Sequence, residues 1–211
     1  MRAEDLVRSV GAAAVAAGLV LAGVGQARAQ GFGVEAGAGV SIPMDELEET
    51  WGVGPSFGLG VVREVSDRMS VRADGELAFN PGEDFGATEA PDLTQFRYTG
   101  GVEMRFTEAD VPSWYTVLGV GAGAVSMGTD DFVLPGGDLA EFTATYFTAY
   151  GALRVGYRVN PRLSFSLRSR LYLTTMNREE TDEFGAVTGG AVNGFEEEWT
   201  LPTQLRVEFA L

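Results

Sequence analysis

The sequence contains no cysteine, no histidine and no lysine among its 211 residues. Without cysteine, disulfide bonds and thiolate metal sites are excluded. Without histidine, the chain lacks the side chain that most often serves as a general base near neutral pH. All 15 basic residues are arginine, and 30 acidic residues outnumber them, which gives a formal net charge of -15. This acidic balance argues against a nucleic acid as partner.

Long hydrophobic runs are also scarce. One apolar run covers residues 10–25, and no later run approaches the roughly 18 residues of a transmembrane helix. Residues 27–29, Ala-Arg-Ala, follow that run and have the A-x-A pattern of a secretory cleavage site. We therefore expect residues 1–29 to be a signal peptide and residues 30–211 to form the exported domain. An uncleaved N-terminal membrane anchor is the alternative.

Alternation of apolar and polar residues dominates the rest of the chain. In the stretch LSFSLRSRLYLTT, residues 163–175, every second residue from Leu163 is apolar except Ser169 and Thr175. A period of two indicates a β-strand with one apolar and one polar face. Seven further stretches alternate in the same way, so the sequence predicts eight strands. The apolar faces either surround a soluble core or face lipid around a polar interior.

The connections between the eight predicted strands alternate in length. Long polar segments follow strands one, three, five and seven, whereas short turns follow strands two, four and six. Because consecutive antiparallel strands run in opposite directions, all the long segments lie at one end. These segments, roughly residues 42–52, 80–95, 127–141 and 177–198, carry most of the acidic residues and one base, Arg178. Short periplasmic turns and long outer loops are typical of outer-membrane barrels.

Aromatic residues cluster near both ends of the predicted strands. One group, with Trp114, lies towards the short turns, and the other, with Trp51 and Trp199, lies towards the long segments. Two aromatic girdles around an apolar band fit a bilayer. We therefore predict an all-β fold, an eight-stranded antiparallel up-and-down transmembrane β-barrel with four long extracellular loops and three short periplasmic turns. A soluble periplasmic barrel that binds an apolar ligand is the alternative architecture.

The signal sequence, the eight alternating strands and the final strand together resemble the small outer-membrane β-barrel proteins of the OmpA/OmpX type. The resemblance covers residues 30–211 and concerns the barrel domain only. The chain ends in Leu211, with Phe209 two residues earlier, where that family usually ends in phenylalanine. The resemblance implies a place in the outer membrane of a Gram-negative cell envelope, among lipid and lipopolysaccharide. It also implies recognition of the C-terminal strand by the barrel-assembly machinery.

In such a barrel the polar strand faces point inward, and eight strands enclose just enough space for side chains to fill. Arginine is expected to pair with carboxylates there, because its planar fork suits bidentate hydrogen bonding. Arg72 is expected opposite Glu103, and the glycines of the first strand and of residues 119–124 are expected to leave room for long side chains. The predicted interior network comprises Glu35, Arg72, Asp74, Glu76, Arg97, Glu103, Arg105, Arg154, Arg158, Arg168, Arg170, Tyr172, Arg206 and Glu208.

The predicted function is a structural or surface-interaction role in the outer membrane, with an interior closed by this arginine–carboxylate network. A small porin-like channel for ions or solutes is the alternative. The sequence predicts no catalytic residue, cofactor or resident metal, since the known barrel hydrolases and acyltransferases resemble one another in using a histidine base. Divalent cations are a candidate partner of the acidic loops, because Ca²⁺ and Mg²⁺ prefer oxygen ligands. No loop shows the spacing of a calcium motif.

Overall fold

The computed structural model describes residues 31–44, 48, 51–82, 84–85, 88–89, 91–107, 113–129, 132–133, 139–140, 143–175 and 197–211. The predicted signal peptide, residues 1–29, lies outside the described residues, as do large parts of the long acidic segments. Within the described part of the chain, no helix is long and apolar enough to cross a membrane.

Eight antiparallel strands form a closed barrel. They are β1 (Phe32–Ser41), β2 (Gly54–Glu64), β3 (Met69–Asn80), β4 (Leu93–Arg105), β5 (Ser113–Thr129), β6 (Thr143–Asn160), β7 (Leu163–Thr175) and β8, which has two segments (Glu197–Thr200 and Thr203–Ala210). Each strand pairs with the next along the chain, and β1 pairs with β8 to close the ring. The predicted all-β up-and-down architecture is confirmed.

Strand length varies around the barrel. β1 has 10 residues, whereas β5 and β6 have 17 and 18. A tilted strand needs about 9–11 residues to cross the bilayer core, and β8 reaches this length only through both of its segments. The interruption falls at Leu201 and Pro202, because proline cannot donate a ladder hydrogen bond. The Pro202 carbonyl still accepts a hydrogen bond from the Arg170 amide at 3.0 Å, so the chain between the two segments remains bonded to β7.

Side chains close two of the short turns. Ser66 Oγ accepts a hydrogen bond from the Met69 amide at 3.1 Å, and Asn160 Oδ1 accepts one from the Arg162 amide at 2.8 Å. Ser and Asn favour turns because their short side chains can bond to nearby backbone in this way. At the opposite end two small hairpins are present, Asp84–Phe85 with Thr88–Glu89 and Phe132–Val133 with Leu139–Ala140.

The strands direct apolar side chains outward and polar side chains inward. Outward Leu167 and Leu205 are 50% and 70% exposed, whereas inward Arg168 is 2% exposed. On the outward face of the eight strands, charge occurs only near the strand ends, at Arg63 and Glu197. The alternative in which the leucines surround a soluble core is therefore wrong.

Ser169 interrupts the apolar face of β7, and its neighbour explains why this is tolerated. It lies opposite Thr203 of β8, and the two hydroxyl oxygens are 2.9 Å apart. Lipid offers no hydrogen-bond partner, so a polar group on this face must be satisfied within the protein. The Ser169–Thr203 pair meets that requirement for both residues.

Candidate functional site

Glu35 on β1 is the carboxylate at the centre of the barrel interior, and four guanidinium groups share it. Its Oε1 accepts hydrogen bonds from Arg168 at 3.1 Å and from Arg206 at 2.9 Å. Its Oε2 accepts hydrogen bonds from Arg72 at 3.1 Å and from Arg154 at 3.0 Å. Both oxygens are therefore fully used, which is what a buried carboxylate requires.

Asp74 on β3 is the second shared carboxylate. Arg72 binds it in a bidentate manner, with Nε 2.7 Å from Oδ2 and Nη2 2.8 Å from Oδ1. Arg168 and Arg206 reach Oδ1 at 3.1 and 3.2 Å. Arg170 donates a further hydrogen bond to Oδ2. Bidentate charge-assisted pairs of this kind are both strong and specific in geometry.

Two further carboxylates continue the network towards the turn end. Arg72 Nη1 lies 2.7 Å from Glu103 Oε1, and Arg154 Nη2 lies 2.9 Å from Glu103 Oε2. Arg154 Nη1 also lies 2.8 Å from Glu208 Oε2. In the strand register Arg72 is opposite Gly101 rather than Glu103, so the expected contact forms along a diagonal. We name the following set the central cluster: Glu35, Arg72, Asp74, Glu103, Arg154, Arg168, Arg170, Arg206 and Glu208.

Glycines on β2 and β5, the two strands that contribute no member of the central cluster, make room for it. A Cβ added at Gly58 would lie 2.4 Å from Arg206 Nη2, and one at Gly60 would lie 2.4 Å from Asp74 Oδ1. On β5, a Cβ at Gly119 would lie 2.9 Å from Glu103 Cγ. The expected room is present at Gly119 and, on β1, at Gly37, where a Cβ would lie 2.5 Å from Arg206 Cγ; the part played by the β2 glycines was not predicted.

A second layer of paired side chains lies closer to the loop end. Arg97 Nη1 donates to Glu76 Oε1 at 2.9 Å, and its Nη2 donates to Thr200 Oγ1 at 2.9 Å and also to Gln95. Its guanidinium lies 4.9 Å from the centre of the Tyr172 ring. Stacking on an aromatic face adds a cation–π attraction to the ion pair. Arg97, Glu76 and Tyr172 are thus placed together.

Two inward residues that the predicted network omits also hold guanidinium groups. The Tyr150 ring lies 4.5 Å from the Arg170 guanidinium. Gln204 Oε1 accepts a hydrogen bond from Arg206 Nε at 2.9 Å, and its Nε2 donates to Ser56 Oγ at 3.1 Å. Both residues occupy alternate positions on polar strand faces, so the period-two pattern already marks them as inward.

Trp51 closes the loop end of the interior. Rather than joining the outer aromatic girdle, it is 2% exposed and packs against a set of apolar residues. Its Nε1 donates a hydrogen bond to the Pro91 carbonyl at 2.9 Å. The placement of Trp51 in the girdle is therefore wrong, because its side chain packs on inward-facing residues of β4, β5 and β6. We name this set the apolar cap: Trp51, Leu93, Val125, Met127 and Tyr146.

Arg105 and Arg158, two members of the predicted interior network, face inward but lie outside the central cluster. Their Nη2 atoms are 3.2 and 3.6 Å from Glu64 Oε1, and their side chains are 14% and 19% exposed. They occupy the last inward positions of β4 and β6, which places them at the turn end and not beside Glu35 or Asp74. We name Glu64, Arg105 and Arg158 the turn-end rim.

No group of three or more acidic side chains in the described part of the chain is arranged to hold a metal ion. Most acidic residues of the long segments lie outside the described ranges. Divalent cations at those segments therefore stay a prediction.

A closed antiparallel barrel with an apolar outer wall and a charged interior is the arrangement of a small transmembrane β-barrel. Two solved structures to which the chain is similar belong to this class. Neisserial surface protein A (NspA) is 15% identical, with a TM-score of 0.59 over 86% of this chain and 98% of that protein. OprG of Pseudomonas aeruginosa is 14% identical, with a TM-score of 0.52 over 86% and 97% of the two chains.

The chain thus has the fold of the small eight-stranded outer-membrane barrels. At these identities the likeness concerns the fold alone. No protein-family profile matches the sequence, and a comparison with curated protein sequences finds no match.

Proposed function

We propose that this chain is a structural or surface-interaction protein of the outer membrane, with an interior that the central cluster closes to solutes. One contact supports the closure above all. Asp74 on β3 and Arg168 on β7 lie four strands apart in a ring of eight, and their Oδ1 and Nη2 atoms are 3.1 Å apart. Side chains from opposite walls therefore meet in the middle of the barrel.

The burial of these side chains supports the same proposal. The side chains of Glu35, Arg72 and Asp74 have no exposed surface. Each guanidinium that crosses the interior is bonded to carboxylates, so opening a passage means breaking several buried ion pairs together. Breaking one buried pair by removing a partner costs about 3–5 kcal/mol.

We place the barrel in the outer membrane after export through a signal peptide at residues 1–29. The outer wall supports this placement: Trp114 is 69% exposed at the turn end, and its ring centre lies 5.2 Å from that of Tyr157. Trp and Tyr favour the membrane–water interface. The strand segment that carries Phe209, which is 46% exposed, is the proposed signal for the barrel-assembly machinery.

The closed interior is tested by single-channel conductance of the refolded chain, residues 30–211, in a planar bilayer, with insertion checked by protease protection of the strands. We expect no steady conductance from the unmodified protein. Arg162→Ala, a change in an exposed turn, serves as the control for Arg168→Ala. Steady conductance that Arg168→Ala alters and Arg162→Ala does not would overturn closure and favour the channel alternative.

The surface role is assigned to the acidic long segments, because loops on a rigid scaffold commonly carry binding functions. We propose that divalent cations bridge their carboxylates to lipopolysaccharide phosphates. Binding of lipopolysaccharide to the refolded protein is expected in Mg²⁺ and should be lost when a chelator is added. Binding that is equal with and without chelator would contradict cation bridging. Catalysis forms no part of the proposal.

A further inference from the structure

The turn end of the barrel contains a charged cavity separate from the apolar cap at the other end. It is small and open to solvent, and its lining includes Glu64, Arg68, Arg105 and Arg154. Asp67 on the turn between β2 and β3 also lines it. Arg154 belongs to the central cluster, so the cavity extends from the turn-end rim to the lowest layer of that cluster.

Two arginines of the rim share one carboxylate among the described residues. Arg105 and Arg158 both contact a single oxygen, Glu64 Oε1, at 3.2 and 3.6 Å. Among the described residues, Glu64 is the carboxylate within 4 Å of either guanidinium. The Glu64 side chain is 46% exposed, and a half-exposed ion pair of this length is weak. In the described ranges, one loosely held carboxylate thus serves two arginines.

Two arginines that line the cavity have unused hydrogen-bond donors. Arg105 Nε and Arg154 Nε are buried and have no hydrogen-bond partner in the described part of the chain. The two guanidinium groups lie 5.8 and 5.5 Å from the centre of the same ring, that of Tyr115. Buried donors without an acceptor are costly, so this cavity favours a ligand with several acceptor oxygens.

We propose that the turn-end mouth binds one phosphate group, held chiefly by Arg105 and Arg158, which displaces the Glu64 carboxylate. The guanidinium fork matches phosphate oxygens in bidentate geometry. A phosphate supplies enough negative charge for both arginines and enough oxygens for several donors. Because Trp114 and Tyr157 mark the membrane interface at this end, the phosphate is either a free ion or the headgroup of a phospholipid.

Calorimetric titration of inorganic phosphate into the full chain, refolded in a phosphate-free maltoside detergent, tests the site. Arg105→Gln removes charge-assisted bonds to the ligand and should weaken binding about tenfold. Glu64→Gln removes the competing carboxylate and should tighten binding about tenfold. The matched control is Arg63→Gln, which removes a charge at the same end of the barrel. Arg63 points outward over the Phe32 ring, 5.3 Å from its centre.

Opposite effects of Arg105→Gln and Glu64→Gln, with Arg63→Gln within about twofold of the unmodified protein, are the expected result. Absence of phosphate binding would overturn the proposal. It would also be overturned if Arg63→Gln weakened binding as much as Arg105→Gln, since only general charge would then matter. Glu64→Gln keeps the test decisive even if Arg105→Gln fails to fold.

A second arm identifies the source of the phosphate. The titration is repeated in nanodiscs of phosphatidylglycerol and in the maltoside detergent alone. If Arg105 and Arg158 already hold a lipid headgroup, phosphate binding is lost in the nanodiscs and kept in detergent. If the natural occupant is a free phosphate, binding is kept in both. Either outcome supports the site, and absence of binding in both settings contradicts it.

Discussion

Consecutive residues of β7 show how different the two faces of the barrel are. Leu167 is 50% exposed on the outer wall, whereas Arg168 is 2% exposed and bonds to Glu35 and Asp74. An outward residue needs only to be apolar and to fit its neighbours, because the bilayer accepts any hydrocarbon surface. An inward charged residue must find specific partners, because burial without them is costly. The choice of residues on the wall is therefore limited by hydrophobicity, and the choice in the interior is limited by the need for partners.

The largest effect is expected where this pairing is broken. Glu35→Gln removes the charge that four arginines share, and we expect it to lower the free energy of unfolding by about 3–5 kcal/mol. Urea unfolding in lipid vesicles measures the change. Glu208→Gln is the control, because Glu208 has one arginine partner and its side chain is 16% exposed. Equal losses for the two variants would contradict the central role of Glu35.

A charge introduced on the outer wall tests the other face of the barrel. Leu167→Arg places a guanidinium among lipid tails, and we expect a loss of about 2–4 kcal/mol. Val159→Arg serves as the control near the turn end, where Val159 is 42% exposed. Near the interface the cost should fall to about 0–1 kcal/mol. Refolding yields and urea midpoints in vesicles report the difference, and a similar cost at both positions would argue against a membrane-embedded wall.

A polar pair on the wall gives the smallest expected effect. Ser169 and Thr203 hydrogen-bond to each other at 2.9 Å. A double-mutant cycle of Ser169→Ala and Thr203→Ala should give a coupling free energy of about 0.6 kcal/mol, typical of hydrogen bonds within membranes. The unfolding free energies of the two single variants and the double variant supply the cycle. Strict additivity of the two changes would show that the pair contributes nothing in lipid.

Alternation along the sequence was sufficient to predict the fold and the direction of most side chains, because strand geometry fixes a period of two. Alternation says little about how deep a side chain lies in the barrel or which residues it contacts. Arg105 and Arg158 occupy inward positions, as the alternation predicts, yet they lie at the turn-end rim. Their distance from the middle of the barrel depends on where the strands end and on how far they tilt. Arg72 meets Glu103 along a diagonal, which depends on the register between β3 and β4.

The apolar cap could not be predicted for a different reason. Trp51 lies in a connection without periodicity, so nothing in its neighbourhood shows that its side chain is buried inside the barrel. Its packing partners Leu93, Val125 and Met127 come from three long-range positions on β4 and β5. In the sequence they read as apolar residues at the ends of polar faces. Only the closed barrel brings them together.

Fluorescence quenching by brominated lipids tests the division between wall and interior most directly. W51F/W199F leaves Trp114, which is 69% exposed on the wall, and W114F/W199F leaves Trp51, which is 2% exposed in the apolar cap. In vesicles we predict strong quenching of Trp114 and little quenching of Trp51. Strong quenching of Trp51, or none of Trp114, would contradict a barrel with its apolar wall in lipid and its charges inside.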